Sequence, residues 1–233
     1  MCSRDESNED MRTSPRAIPK RRCCRVYDER IRLLTIGHGT ISAEEFVRLL
    51  DSAGAARLID IRSAPGSRHN PQFGRVEMER WLPTAGISYQ WERALGGFRK
   101  PSPESPNTAL RHPAFRGYAD YMLTHEFVAG ADELRKLAAV AVVTVMCSES
   151  LWWRCHRRLL SDYLMLVHGF GIRHVMHDAS LREHRLTEGV RRLGDQVVYD
   201  QLPVSGESAI VPTLDFQDPK ADISPAGSES HRN

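Results

Sequence analysis

The run Val140–Met146 (VAVVTVM) is apolar at nearly every position. A strand with one face in water alternates apolar and polar residues, whereas a strand buried on both faces of a parallel sheet is apolar throughout. Even the longer apolar run, residues 137–147, falls short of the roughly 20 residues that a membrane span needs. The run therefore predicts a strand inside a parallel sheet, which needs helices on both faces.

Other segments of the chain alternate between strand and helix patterns, as that sheet requires. Ser42 precedes an apolar helical face and Glu45 follows three residues later, which is the spacing of a capping box. The predicted fold class is α/β, a single three-layer domain with a mostly parallel sheet. Further strands are predicted at Arg32–Ile36, Leu58–Ile61, Ile87–Trp91 and Ile172–Met176, and helices at Val76–Leu82, Phe115–Leu123, Phe127–Ala138, Leu151–Val167 and Leu186–Leu193.

The ends of the chain differ in composition from its middle. Residues 1–30 and 201–233 are polar and lack a sustained apolar period, so we expect disordered tails around a domain at 31–200. The first thirty residues contain no apolar signal segment, and five cysteines in 233 residues suit a reducing compartment. We therefore expect a cytoplasmic protein without membrane contact. Cys2, Cys23 and Cys24 lie in the first tail, as incidental thiols or as a metal or redox pair.

Charge is distributed unevenly. The net charge of +2 gives no general affinity for nucleic acid or for anionic membranes. Residues 62–100, however, carry seven positive side chains against three negative ones. A basic loop near the strand ends favours an anionic ligand, either a small molecule or nucleic acid.

The residues that follow the predicted strands are chemically reactive. In open parallel sheets ligands bind beyond the carboxyl ends of the strands, so these residues are predicted to share a site. They are His38 after the first strand, Asp60 and Arg62 at the second, Cys147 and Glu149 after the strand predicted at Val140–Met146, and His177 and Asp178 after the last.

Cys147 is the central candidate. A helix predicted to open near Leu151 would help to stabilise a thiolate at Cys147, which makes it a candidate nucleophile or metal ligand; a packed thiol is the alternative. Cys155 falls on the apolar stripe of that helix, so packing is favoured for it. His156 and Arg157 are placed to reach back over the strand ends.

Several known motifs are absent. The pattern C-x7-C-H formed by Cys147, Cys155 and His156 matches none of the usual zinc spacings, and no metal is assigned. The sixth residue after Cys147 is Trp153, so the C-x5-R loop of cysteine phosphatases does not fit. No dinucleotide fingerprint or Walker loop is present, and no cofactor is assigned.

Taken in order, several short motifs resemble the bacterial family called domain of unknown function 488. The resemblance covers about residues 32–188 and implies a cytosolic α/β domain with its motif residues at one end of the sheet, but no agreed activity. Gly39 stands where the family usually has Ser, and Leu151-Trp152-Trp153 where it has Pro. The motifs are Thr35-Ile36-Gly37-His38-Gly39, Ile59-Asp60-Ile61-Arg62, Asn70-Pro71-Gln72-Phe73, Leu95-Gly96-Gly97, Phe115-Arg116-Gly117-Tyr118-Ala119-Asp120-Tyr121-Met122, Met146-Cys147-Ser148-Glu149, Cys155-His156-Arg157 and His184-Arg185-Leu186.

Three functions are compatible with these sequence features. The first is an enzyme on an anionic substrate such as a nucleotide or nucleic acid, and the second is a non-catalytic module that binds the same ligands. A metal or redox-sensing cysteine site, using Cys147, His156 and a strand-end histidine, is a third. For the enzyme, the predicted catalytic residues are Cys147, His38, Glu149 and Asp60, and the predicted substrate-binding residues are Arg62, Arg68, His156 and Arg157.

Overall fold

The structure is a computed structural model that describes residues 31–66 and 69–201. The predicted tail at 1–30, the predicted tail at 201–233 except for Gln201, the three tail cysteines and Arg68 lie outside the described residues. The helices and strands are β1 (Ile31–Gly37), α1 (Ala43–Ser52), β2 (Arg57–Asp60), α2 (Arg75–Trp81), β3 (Ser88–Trp91), α3 (Pro113–Tyr121), α4 (His125–Val140), β4 (Val143–Cys147), α5 (Arg157–His168), β5 (Gly171–Val175), β6 (Leu181–Glu183), β7 (Val190–Leu193) and β8 (Gln196–Tyr199).

The main sheet has six strands in the order β3-β2-β4-β1-β5-β6. The first five run parallel, and β6 is antiparallel to β5. The mostly parallel α/β fold is therefore confirmed. Gly37 lies beside Cys147 and Asp60 beside Met146 in the strand register, so three strands deliver their carboxyl ends to one edge.

Helices cover the sheet on both sides. Successive strand side chains point to opposite faces, and in β4 the side chains on both faces are apolar and buried. Val143 and Val145 of β4 belong to the apolar cluster that includes residues of α3, α4 and α5. Met146 points the other way, into the cluster built around α1 and α2. Cys147 shares the face of Val143 and Val145, so the period of β4 alone turns its thiol toward the α5 side.

The N-terminal cap and the apolar face predicted for the first helix are both present in α1. The Ser42 side chain accepts a hydrogen bond from the backbone N–H of Glu45 and caps α1. Phe46, Leu49 and Leu50 are buried, as the predicted apolar face requires. Among the described residues, no helix is long and apolar enough to cross a membrane.

The helix predicted at Leu151–Val167 begins later, at Arg157. A short 3-10 turn occupies Trp152–Arg154, and Cys155 then adopts an extended backbone that interrupts any continuous helix. The Glu149 carboxylate binds the N–H of Leu151, and the Trp152 ring stacks on His174 at 4.1 Å, so both contacts hold this turn apart from α5. The predicted helix dipole behind Cys147 is therefore absent from that position.

The helix predicted at Leu186–Leu193 was wrong, because a hairpin of β7 and β8 occupies this part of the chain. Gly194 and Asp195 form its two-residue turn, and Gly194 has a φ of 61° that glycine adopts without strain. Val197 and Tyr199 of β8 are buried against the main core. Packing of β8 against core residues that are distant in the chain, rather than a helical pattern in the sequence, determines the structure of this segment.

Candidate functional site

A cleft of about 650 Å³ opens at the carboxyl edge of the sheet, above β1, β2 and β4. Ligand sites in parallel sheets occupy this edge, and the volume falls in the usual range for small-molecule pockets. Five of the predicted site residues line it together. The lining includes His38, Arg62, Ser63, Gly97, Phe98, Phe115, Tyr118, Cys147, Ser148, Glu149, Ser150, Arg154, Cys155 and His156.

Two thiols and an imidazole converge on the cleft. Nδ1 of His156 lies 3.8 Å from Sγ of Cys147 and 3.7 Å from Sγ of Cys155. The three atoms all lie within 4.8 Å of one another. Cys147 and Cys155 are both free thiols and both buried. Cys155, which the sequence favoured as a packing residue, is therefore an equal member of this group.

The ring of His156 is held in one orientation. Its Nε2 lies 3.2 Å from the backbone carbonyl of Ile61, so Nε2 carries a proton and donates it, while Nδ1 faces the two sulfurs. Tyr118 packs edge-on against the ring at 5.0 Å. A Cβ at Gly97 would lie 2.9 Å from Nδ1, which explains the glycine at this position.

Arg157 is buried behind the thiols, with 1% of its surface exposed. It donates from Nε to Sγ of Cys155 at 3.4 Å and from Nη2 to the carbonyl of Glu149 at 2.5 Å. Among the described residues, no carboxylate forms an ion pair with Arg157. Since a buried cation needs a counter-charge, the group closest to supplying one is the Cys155 sulfur.

The two thiols differ in their acidity. The hydrogen bond to Cys155, together with burial, raises the pKa of Cys147 well above its usual value. Burial alone would raise the pKa of Cys155, but the hydrogen bond from Cys147 and the nearby His156 and Arg157 hold it well below its usual value. The pair therefore favours one negative charge, placed on Cys155 rather than on the predicted Cys147.

Asp60 and Arg62 form a second buried unit beside the cleft. Arg62 donates from Nε to Oδ1 of Asp60 at 2.9 Å and from Nη2 to Oδ2 at 2.6 Å. Tyr89 donates to the same Oδ2 at 2.8 Å. The Asp60 carboxylate is thus fully engaged by Arg62 and Tyr89, and a catalytic role for Asp60 stays a prediction.

His38 faces this unit and is neutral. Its Nδ1 lies 2.8 Å from the carbonyl of Gly39 and its Nε2 lies 3.3 Å from Nη1 of Arg62, so Nδ1–H donates and Nε2 accepts. Burial and the positive charge of Arg62 lower the pKa of His38 to about 4. Both ring nitrogens have partners, and proton transfer by His38 stays a prediction.

The remaining predicted residues form hydrogen bonds outside the group of two thiols and His156. Glu149 lines the cleft but binds the N–H of Leu151. His177 donates from Nε2 to the carbonyl of Gly37 at 2.7 Å, and Asp178 is bonded to Ser180 on the surface. Arg154 lines the cleft although the sequence did not single it out, and its place directly before the Cys155-His156-Arg157 motif was the available signal.

A buried hydrogen-bonded chain runs from Arg157 away from the cleft. Arg157 Nη1 donates to Oγ1 of Thr35 at 3.5 Å, and that hydroxyl donates to Nδ1 of His174 at 2.6 Å. Nε2 of His174 then lies 3.0 Å from Nδ1 of His184, whose Nε2 donates to Asp162 Oδ1 at 2.9 Å. The Thr35 hydroxyl is thereby held against Arg157, so the chain is a positioning network for Arg157.

Comparison with known proteins adds one result to this geometry. Searches of curated proteins and of solved structures gave no match. A family model described as "Domain of unknown function DUF488" matches residues 42–164, more than half of the chain. The matched region contains Asp60, Arg62 and the Cys147, Cys155 and His156 group, while the motifs at residues 35–39 and 184–186 lie outside it. The chain belongs to the DUF488 family of domains of unknown function.

Proposed function

We propose that this protein is an enzyme that binds an anionic small molecule of the nucleotide class in the cleft. The observation that carries this proposal is the convergence of Cys147, Cys155 and His156 on the floor of a cleft at the carboxyl edge of the sheet. Packing alone does not require a buried arginine and two thiols around one imidazole, and reactive groups held in this way are typical of sites that perform chemistry.

Charge supports an anionic ligand. Arg62 and Arg154 line the cleft, and Arg157 lies directly beneath it. The carboxylates nearby are already engaged, since Asp60 holds Arg62 and Glu149 binds the N–H of Leu151. Guanidinium N–H groups at the cleft can donate hydrogen bonds to phosphate or carboxylate groups.

An unusual aromatic residue supports a ligand with a flat ring. Phe98 lines the cleft with 93% of its surface exposed. It also adopts a φ of 58°, a left-handed conformation that costs free energy for a residue with a Cβ. An exposed apolar ring held in a strained conformation at the rim of a cleft is a suitable stacking surface for a base, which is worth about 1–3 kcal/mol per base.

Calorimetric titration of the purified full chain tests binding directly. Nucleoside mono-, di- and triphosphates are compared with the uncharged nucleosides. We expect the phosphates to bind at least tenfold more tightly, since several positive groups surround the cleft. Arg154→Ala and Phe98→Ala should weaken binding, whereas Arg182→Ala, an exposed arginine on β6, should not. No binding by any nucleotide would overturn the proposal.

Product analysis by mass spectrometry separates the enzyme from a binding module. Turnover of a bound nucleotide that is lost in Cys155→Ala, with affinity retained, supports the enzyme. Binding without any product over prolonged incubation would favour the non-catalytic module instead.

A further inference from the structure

We propose that Cys147, Cys155 and His156 bind a thiophilic divalent cation of the Zn²⁺ type, with an open coordination position that faces the cleft. This inference deepens the proposed function and rests on the same cleft. Cysteine sulfur and imidazole nitrogen are the ligands that Zn²⁺ prefers in proteins. The three ligand atoms come from the end of β4 and from the segment just before α5.

The distances match tetrahedral coordination. With Zn–S near 2.3 Å and Zn–N near 2.0–2.1 Å, a tetrahedral angle places sulfur and nitrogen about 3.6 Å apart. The observed separations from His156 Nδ1 are 3.8 Å to Cys147 and 3.7 Å to Cys155. The two sulfurs lie within 4.8 Å of each other, against about 3.8 Å in a tetrahedral site, so movements of up to about 1 Å complete the geometry.

The surroundings of the ligands have the features of a metal site. A metal-binding histidine commonly donates its other ring N–H to a carbonyl, which fixes the tautomer and aims the free lone pair at the metal. His156 does this with Ile61. Arg157 donates to the Cys155 sulfur at 3.4 Å, and such hydrogen bonds to a ligating thiolate stabilise its charge.

The charges of the cation, the two thiolates and Arg157 together leave a net positive charge that suits an anionic ligand. Two thiolates cancel the double charge of the cation, and each thiol that becomes a thiolate on binding releases its proton to solvent. Arg157 then remains as one positive charge beneath the cleft. The loaded site therefore retains an attraction for an anion.

The site is open rather than structural. Structural zinc usually has four protein ligands, whereas catalytic zinc has three and leaves one position for water or substrate. Within the described ranges 31–66 and 69–201, the group consists of three donors. All three line the cleft, so the fourth position is accessible to a ligand there.

Metal analysis of the full chain is the direct test. The protein is expressed with added zinc, purified under reducing conditions and analysed by mass spectrometry for metal content. We expect about one zinc per chain. The zinc should be lost in Cys147→Ser, Cys155→Ser and His156→Ala, because each variant removes one of the three ligands. The tail cysteines are the necessary control, so the variant Cys2→Ser/Cys23→Ser/Cys24→Ser should retain the metal. Loss of zinc only in the tail variant would overturn the inference.

Cobalt substitution tests the site in protein that keeps all three ligands, so its result does not depend on whether the ligand variants fold. Co²⁺ added to the reduced tail variant should give the charge-transfer absorption of a cobalt thiolate and the intense visible bands of four-coordinate Co²⁺. Their absence, or recovery of Cys147 and Cys155 as a disulfide that persists under mild reduction, would contradict the site. Metal content is measured without substrate, so zinc binding without nucleotide binding would refute the proposed function alone, and nucleotide binding by protein that takes up neither zinc nor cobalt would refute the metal site alone.

Discussion

Asp60 and Arg62, two residues apart at the end of β2, form a buried ion pair with two parallel contacts. Their side chains are 0% and 5% exposed, so neither charge is compensated by water. Removal of one partner from such a pair is strongly destabilising because it leaves the other charge buried and unpaired.

We therefore expect Asp60→Asn to lower the free energy of unfolding by about 3–5 kcal/mol. Urea unfolding followed by circular dichroism measures this change. Glu79→Gln breaks the exposed pair with Arg75 at 2.7 Å and serves as the control, with an expected loss of about 0.3–0.5 kcal/mol. Equal losses in the two variants would mean that the Asp60–Arg62 pair is not isolated from solvent.

Gly37, at the end of β1, is required by close packing. A Cβ there would overlap the carbonyl oxygen of Glu149 and would lie 2.8 Å from Nη2 of Arg157. Both contacts are made by groups that the fold holds in place, so Gly37→Ala must push the segment after β4 away from β1.

The expected result for Gly37→Ala is a loss of about 1–3 kcal/mol or more in unfolding free energy, together with loss of the metal. Gly66 lines the same cleft, and a Cβ there would meet nothing within 4 Å. Gly66→Ala should therefore keep both stability and metal content, which are measured by thermal unfolding and metal analysis. A Gly37→Ala protein with unchanged Tm and metal would show that the segment yields easily.

The parts of the fold that the sequence predicted are those determined by local pattern. The cap at Ser42 and the apolar run of β4 each depend on residues close together in the chain. The start of α5 was predicted six residues early because Trp152 stacks on His174, a contact with β5 that no local period reveals. The β7–β8 hairpin was missed for a similar reason, although Gly194-Asp195 is a turn signal.

The residues of the candidate site also fall into those that a local pattern predicted and those that depend on distant contacts. Strand ends placed His38, Asp60, Arg62 and Cys147 at one edge, because parallel strands share their direction. The pairing of Cys155 with Cys147 depends instead on how the turn at Trp152–Arg154 folds back. The orientation of the His156 ring depends on the Ile61 carbonyl, far away in the chain, so sequence spacing could not predict it.

His174 makes stability depend on pH. Burial, then the nearby His184 and Arg157, lower the pKa of His174 to about 2, while an unfolded histidine titrates near 6.5. Between these values the unfolded chain binds a proton that the folded protein does not, so stability falls as pH falls below about 6.5. Each group of this kind contributes up to about 1.4 kcal/mol per pH unit.

The variant His174→Gln tests this dependence, since glutamine offers both a donor and an acceptor but does not titrate. We expect it to be less stable than the natural chain at pH 7 and to lose less stability between pH 6.5 and pH 5. Urea unfolding at several pH values measures both slopes. His38, with its pKa lowered to about 4, keeps part of the slope in the variant. Parallel pH profiles for the two proteins would contradict a buried neutral His174.

Tyr199 anchors the hairpin to the core through Asp162. Its hydroxyl donates to Oδ2 of Asp162 at 2.9 Å, and both residues are buried. The other oxygen of Asp162 accepts from His184 and from the N–H of Thr187. Tyr199→Phe therefore removes a donor from a buried carboxylate, and hydrogen bonds to charged groups contribute about 1.5–3 kcal/mol.

Tyr121→Phe is a matched control because it removes a hydroxyl that donates to the neutral carbonyl of Ala94 at 2.7 Å. We expect about 0.5–1.5 kcal/mol for that loss, and a larger loss for Tyr199→Phe, both measured by urea unfolding. Hydrogen exchange should show faster opening of β7 and β8 in Tyr199→Phe only, since Tyr199 ties this two-stranded sheet to α5. If the two variants lose equal stability, and the hairpin exchanges no faster, Asp162 is stabilised without Tyr199.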